Sequence, residues 1–148
     1  MEKYVYKFGN GTADGNSQMK DLLGGKGANL AEMARIGIPI PPGFTITTDV
    51  CKLYQQKGRE VIHDMIYDQA LDGLHFIQDV MDTDFGSSEN PCLLSVRSGA
   101  KQSMPGMMDT VLDIGLNDEP VEGLAKLTRK EHFAWDAYRR LIQMYGDV

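Results

Sequence analysis

A mixed α+β fold is what this sequence of 148 residues predicts, and three observations predict it. Tyr4-Val5-Tyr6-Lys7-Phe8 alternates with the two-residue period of a short strand. Between Glu60 and Met81 the residues Ile62, Met65, Ile66, Ala70, Leu74, Ile77 and Met81 recur every three or four positions, the spacing of an amphipathic helix. The other strand-like stretches are scattered instead of alternating regularly with helices, which argues against a doubly wound α/β sheet.

The elements follow in order. After the first strand, Gly9 to Gln18 is a polar, glycine-bearing loop. Its Asn10-Gly11-Thr12 matches a glycosylation acceptor, which carries no weight without a secretory signal. Met19 to Leu23 leads into Gly24-Gly25-Lys26-Gly27, and Ala28 to Ile36 sets Leu30, Met33 and Ala34 on one helical face before Gly37, a left-handed cap. Ile38-Pro39-Ile40-Pro41-Pro42-Gly43 cannot be helical and reads as an extended connector into a strand, Phe44 to Thr47. Thr48 is the expected N-cap of a helix ending at Gly58, and the long helix follows. Asp82 to Pro91 is a loop. Cys92 to Val96 is apolar enough for a buried strand, and Thr110 to Ile114 resembles another. Asn117 caps a short helix, Glu119 to Lys126, with Pro120 in its first turn. Glu131 to Tyr145 is a last helix whose stripe is Ala134, Tyr138, Leu141, Ile142 and Tyr145. The chain stops three residues later, so this stripe either packs backwards or meets a partner outside the chain.

Composition narrows the function. The length suits one domain with a single core. Lys and Arg number 15 against 21 Asp and Glu, a net charge of −6. That excludes a general binder of nucleic acid or anionic membrane, whose affinity rests on a basic face. No apolar run nears the ~18 residues of a membrane span, and the start lacks a signal-peptide core, so a cytoplasmic protein is expected. Cys51 and Cys92 form no metal or redox spacing and suit a reducing compartment, as core or partly buried thiols. His63, His75 and His132 share no metal-ligand pattern and read as surface or satisfied histidines. Asp82-Thr83-Asp84-Phe85-Gly86 begins like a calcium loop, but its twelfth position is Leu93 where glutamate is needed. The 16 glycines are the excess, roughly a tenth of the chain against ~7% in ordinary proteins.

The glycines gather in two stretches. Leu22-Leu23-Gly24-Gly25-Lys26-Gly27-Ala28 has the chemistry of an anion cradle: glycines admit an oxyanion to backbone N–H groups, a helix N-terminus adds partial positive charge, and lysine adds a full one. It is neither a Walker A loop, since Gly27 follows Lys26 where Ser or Thr is required, nor the dinucleotide fingerprint. A tight turn with a solvated lysine is the plainer reading. In the second, Ser95 to Gly106, Arg97 and Lys101 are the only charged residues, so it is locally basic in an acidic chain. An arginine aimed by the end of a buried strand grips phosphate oxygens through two parallel bonds. Its plainer fate is a carboxylate partner. Together the stretches predict one polyanion site.

Tyr4-Val5-Tyr6-Lys7-Phe8, Leu22-Leu23-Gly24-Gly25-Lys26-Gly27, Pro39-Ile40-Pro41-Pro42-Gly43-Phe44, Ser95-Val96-Arg97-Ser98-Gly99-Ala100, Ser103-Met104-Pro105-Gly106-Met107-Met108-Asp109-Thr110 and Tyr138-Arg139-Arg140-Leu141-Ile142-Gln143-Met144-Tyr145 form an ordered set over essentially the whole chain. The set resembles the N-terminus of the pyruvate, phosphate dikinases. The resemblance implies that residues 1–148 are the N-terminal portion of an ATP-grasp-like nucleotide-binding domain, without the swivelling phospho-histidine domain and the pyruvate-binding barrel. It implies an enzyme that takes ATP, phosphate and pyruvate to AMP, diphosphate and phosphoenolpyruvate with magnesium, passing phosphoryl through a histidine on another domain. Lys26 resembles the lysine that binds the ATP phosphates, and Arg97 the arginine that grips the terminal phosphates as they transfer. Gly106 and Thr110 resemble positions that touch the nucleotide. The implied partners are ATP and the remaining dikinase domains, in a homo-oligomeric parent. The magnesium carboxylates are expected outside this chain, and no turnover is expected from the chain alone. The competing expectation is a non-catalytic fragment that self-associates through uncovered apolar faces and binds no nucleotide.

Overall fold

The computed structural model describes residues 1–99 and 110–148, and they form a mixture of five helices and small antiparallel sheets. They divide into two compact units, the first spanning Met1–Val80 and the second running from Met81 to Ser98 and on through residues 110–148.

In the first unit β1 (Val5–Gly9) is the middle of a three-stranded sheet, flanked by β2 (Thr12–Ala13) and β3 (Gly43–Ile46). The polar loop after β1 is a hairpin. Phe8 pairs with Ala13 and Gly9 with Thr12, and Asn10 and Gly11 both take positive φ, 52° and 75°. Two left-handed residues are what a type I′ turn requires, and Asn-Gly is its commonest pair. α1 (Lys20–Arg35) ends in a Schellman motif: Gly37, at φ 86°, donates to the Ala34 carbonyl and Ile38 to that of Met33. Successive residues of β3 face opposite sides of the sheet. A Cβ on Gly27 of α1 would lie 2.8 Å from the Thr45 Cγ2, and one on Gly73 of α3 (Arg59–Met81) 2.5 Å from the Phe44 ring. The two helices therefore cover opposite faces. α2 (Thr48–Lys57) closes the unit, with Tyr4, Val50 and Ile62 at its buried centre. Its N-cap is Thr47, one residue before the expected Thr48, because the Thr47 backbone still donates to the Tyr4 carbonyl as the last rung beside β1.

In the second unit β4 (Leu94–Arg97) and β5 (Thr110–Ile114) form an antiparallel pair, on which α4 (Pro120–Thr128) and α5 (Glu131–Gly146) pack. The expected buried strand from Cys92 is corrected: Cys92 is buried, but the strand begins at Leu94, and Ser95, Val96 and Arg97 are exposed. Glu119 is the N-cap of α4, while Asn117 acts one step earlier, its Oδ1 accepting from the Glu119 amide at 2.9 Å. α5 does pack backwards, through Ala134, Ala137 and Leu141. Ile142 and Tyr145, expected in the same stripe, are 59% and 71% exposed. Burial is thus split over two clusters where the length suggested one core.

Candidate functional site

Lys26 owes its position to a break in α1. Gly24 adopts φ 71° and ψ 170°, so a fresh helical run begins behind it with Gly25 and Lys26 in the first turn. First-turn N–H groups lack acceptors within their helix and carry partial positive charge, to which lysine adds a full one. The expected glycine turn opening a helix is present, preceded by a short helical segment, residues 20–23. The glycines there do different things. Gly24 takes a positive-φ, extended-ψ backbone that is essentially confined to glycine. Gly27 is buried against Thr45 and sets how closely the helix approaches β3. Lys26 is exposed, and among the described residues no carboxylate pairs with it.

Arg97 and Thr110 are brought together. They are cross-strand partners in the rung of the β4–β5 pair that borders the connection between the strands, so their side chains share one face with Cβ atoms about 5 Å apart. A register shift lies between Leu94 and Val96, just behind the arginine. Arg97 is exposed, carried by an exposed strand rather than the expected buried one. No carboxylate among the described residues pairs with it. The same holds for Lys57 and Arg59, so a missing partner alone does not mark function. A Cβ on Gly99 would meet no described residue within 4 Å, and its backbone is not left-handed. Gly106 and Lys101 lie outside the described residues. Lys26 belongs to the first unit, Arg97 and Thr110 to the second.

The lysines and aspartates lining a cleft in the first unit pair with one another. The cleft, of about 310 Å³, is lined by Lys3, Lys7, Asp14, Gln69 and Asp72, and Lys3 pairs with Asp14 at 3.0 Å and Lys7 with Asp72 at 2.8 Å. The Asp14 carboxyl is pushed up by partial burial, and this is outweighed by the Lys7 amide and the Lys3 ammonium, which hold it below its ordinary range. A lowered carboxyl contributes stability above its unfolded pKa, near 3.8, and that contribution fades as pH falls through the lower folded value. Asp14→Asn is therefore expected to cost about 1 kcal/mol at pH 7, as a partly exposed charge-assisted bond does, and less at pH 3, below the unfolded pKa. Urea titrations at the two pH values check this. All three histidines are exposed, as is Cys51, which was expected to be at least partly buried. Among the described residues no three His, Cys, Asp or Glu side chains converge on a metal-sized site, and no helix is long and apolar enough to cross a membrane.

The α+β fold and a lysine at a glycine-broken helix start agree with a nucleotide-binding domain, and comparison with known proteins specifies which. Residues 20–83 match the family model of the pyruvate phosphate dikinase AMP/ATP-binding domain. That span contains Lys26 and stops short of Arg97 and Thr110. The whole chain is 52% identical over 148 residues to pyruvate, phosphate dikinase of Clostridium symbiosum and 52% identical to that of Rhizobium meliloti, covering 16% of each. The chloroplastic enzyme of Flaveria pringlei is 54% identical over 147 residues, 99% of this chain and 15% of the relative. The chain belongs to the pyruvate, phosphate dikinase family and spans about a sixth of the length of these relatives.

Proposed function

We propose that the chain supplies the phosphate-gripping part of a dikinase ATP site. Lys26 and the first-turn amides of its helix bind the ATP phosphates, Arg97 grips the terminal phosphates as they transfer, and Thr110, with Gly106, lies against the nucleotide. The observation that carries this reading is the restart of α1 at Gly24, which places two glycine-spaced amides and a lysine with no carboxylate partner among the described residues at one helix N-terminus. The parent reaction would convert ATP, phosphate and pyruvate to AMP, diphosphate and phosphoenolpyruvate through a phospho-histidine on another domain, in a cytoplasmic homo-oligomer. Phosphoryl transfer asks the protein mainly for positioning and charge neutralisation, which a lysine, an arginine and backbone amides provide. The donors here are cationic or hydroxyl groups, suited to phosphate oxygens and unsuited to a metal. Magnesium would arrive with ATP, its carboxylate ligands supplied from outside this chain, and would neutralise phosphate charge there.

A second reading, a self-associating fragment indifferent to nucleotide, draws on the exposed apolar side chains of α5: Trp135 at 45%, Ile142 at 59% and Tyr145 at 71%. Sedimentation with and without ATP separates the two. The first reading expects a monomer that binds ATP weakly and loses that binding in Lys26→Ala. An oligomer whose mass and heat of titration ignore ATP supports the second.

A further inference from the structure

Resting on the reading of Lys26 as a phosphate ligand, we infer that Thr48 is a positioning residue for the glycine–lysine turn. Thr48 is the first residue of α2, directly after the N-cap position held by Thr47. Its hydroxyl donates to the Asp21 carbonyl, 27 residues away in sequence, at 2.7 Å. That carbonyl is the one an unbroken α1 would pair with the Gly25 amide, since helical bonds run from each N–H to the carbonyl four residues back. The positive φ of Gly24 rotates the intervening peptide out of this register. Thr48 therefore supplies a hydrogen bond to the Asp21 carbonyl in the place the Gly25 amide would occupy, and the amide is directed to a phosphate oxygen.

The same contact fixes the segment before the break. Residues 20–23 have no continuous helix behind Gly24 to hold them. Leu23 anchors one side, 2% exposed and packed against Gly27 and Gly15. The Thr48 hydroxyl anchors the other. Gly27 against Thr45 fixes residues 25–35 on the sheet, and β3 runs directly into Thr47 and α2. Both sides of the hinge are thus held by one continuous stretch, Thr45 to Thr48. An anion site of backbone amides works only while those amides stay aimed, so loosening the hinge weakens binding without removing any group that touches the ligand.

The test is a titration of the 148-residue chain with magnesium diphosphate, followed by amide NMR shifts at Gly25 and Lys26, in wild type, Thr48→Val, Thr48→Ser and Lys26→Ala. Thr48→Val keeps shape and loses the donor, and its binding is expected to weaken roughly three- to tenfold, the worth of one hydrogen bond. Thr48→Ser is expected to restore it. Unchanged β1 and β3 amide shifts in Thr48→Val separate positioning from loss of fold. Thr48→Val binding like wild type while Lys26→Ala does not overturns the role of Thr48 and leaves that of Lys26. Gly25 and Lys26 amides that ignore diphosphate in wild type overturn both.

Discussion

Arg97→Ala, made in a dikinase carrying this chain in place of its matching segment, is expected to slow phosphorylation of the enzyme by ATP about two to three orders of magnitude, the usual loss when one aimed donor is removed from a developing oxyanion. Transfer from the pre-phosphorylated enzyme to pyruvate is expected to be unchanged. The separation follows from chemistry. In the proposed role, a guanidinium at the end of a strand, with Thr110 across from it, would neutralise charge on the transferring phosphates and would have no part in a step that uses a phosphoryl group already on histidine. Arg97→Lys is expected to recover only a fraction, because an ammonium does not make two parallel bonds. Equal loss in both half-reactions would mean that Arg97 supports the fold or the domain motion instead. Isotope exchange in each half-reaction measures the difference.

The second large effect concerns stability. Gly123 lies in α4 with the Ser88 carbonyl pressed against it: an added Cβ would overlap that oxygen and sit 2.6 Å from the Ser88 carbonyl carbon. The loop cannot easily withdraw. The Ser87 Oγ accepts from the Glu89 and Asn90 amides, Asn90 donates to the Asp82 carbonyl, and the Asp84 amide donates to the Asn90 carbonyl. Nor can α4, whose Val121 is fully buried among Leu116, Ala134 and Leu141. Gly123→Ala gains about 1 kcal/mol of helix propensity and is expected to lose about 3 kcal/mol or more to overpacking. Gly146→Ala, at an open position where a Cβ meets nothing, is expected to change stability by less than about 0.5 kcal/mol. The single tryptophan, Trp135, lies in the same unit, so its fluorescence during urea unfolding reports both variants.

What was legible in the sequence was local. The period of α3, the left-handed cap at Gly37 and the strand at Thr110–Ile114 depend on neighbours within a few residues, and each formed where expected. Asn10-Gly11 carries an equally local hairpin signal, set within the polar stretch Gly9 to Gln18. The Thr47 cap differed by one residue because a backbone bond to Tyr4, 43 positions earlier, extends the strand. Exposure of Arg97's strand was not legible, since an apolar run does not say whether a second face is covered. The Thr48–Asp21 bond and the Arg97–Thr110 pairing link distant positions, and no short-range pattern announces them. The place of Lys26 at a helix start was legible because glycine, lysine and helix start are adjacent in sequence. The close approach of Gly27 to Thr45 was not legible, because the two are distant in sequence.

In the proposed function this chain recognises the phosphates of a nucleotide through Lys26. Calorimetric titration with ATP, AMP and adenosine, in wild type and Lys26→Ala, tests it most directly. The expected result is an affinity that rises with phosphate number in wild type and flattens in Lys26→Ala, with the ATP affinity falling about tenfold or more, as loss of one charge-assisted contact implies. Equal affinity for all three ligands, or an ATP affinity untouched by Lys26→Ala, would contradict it.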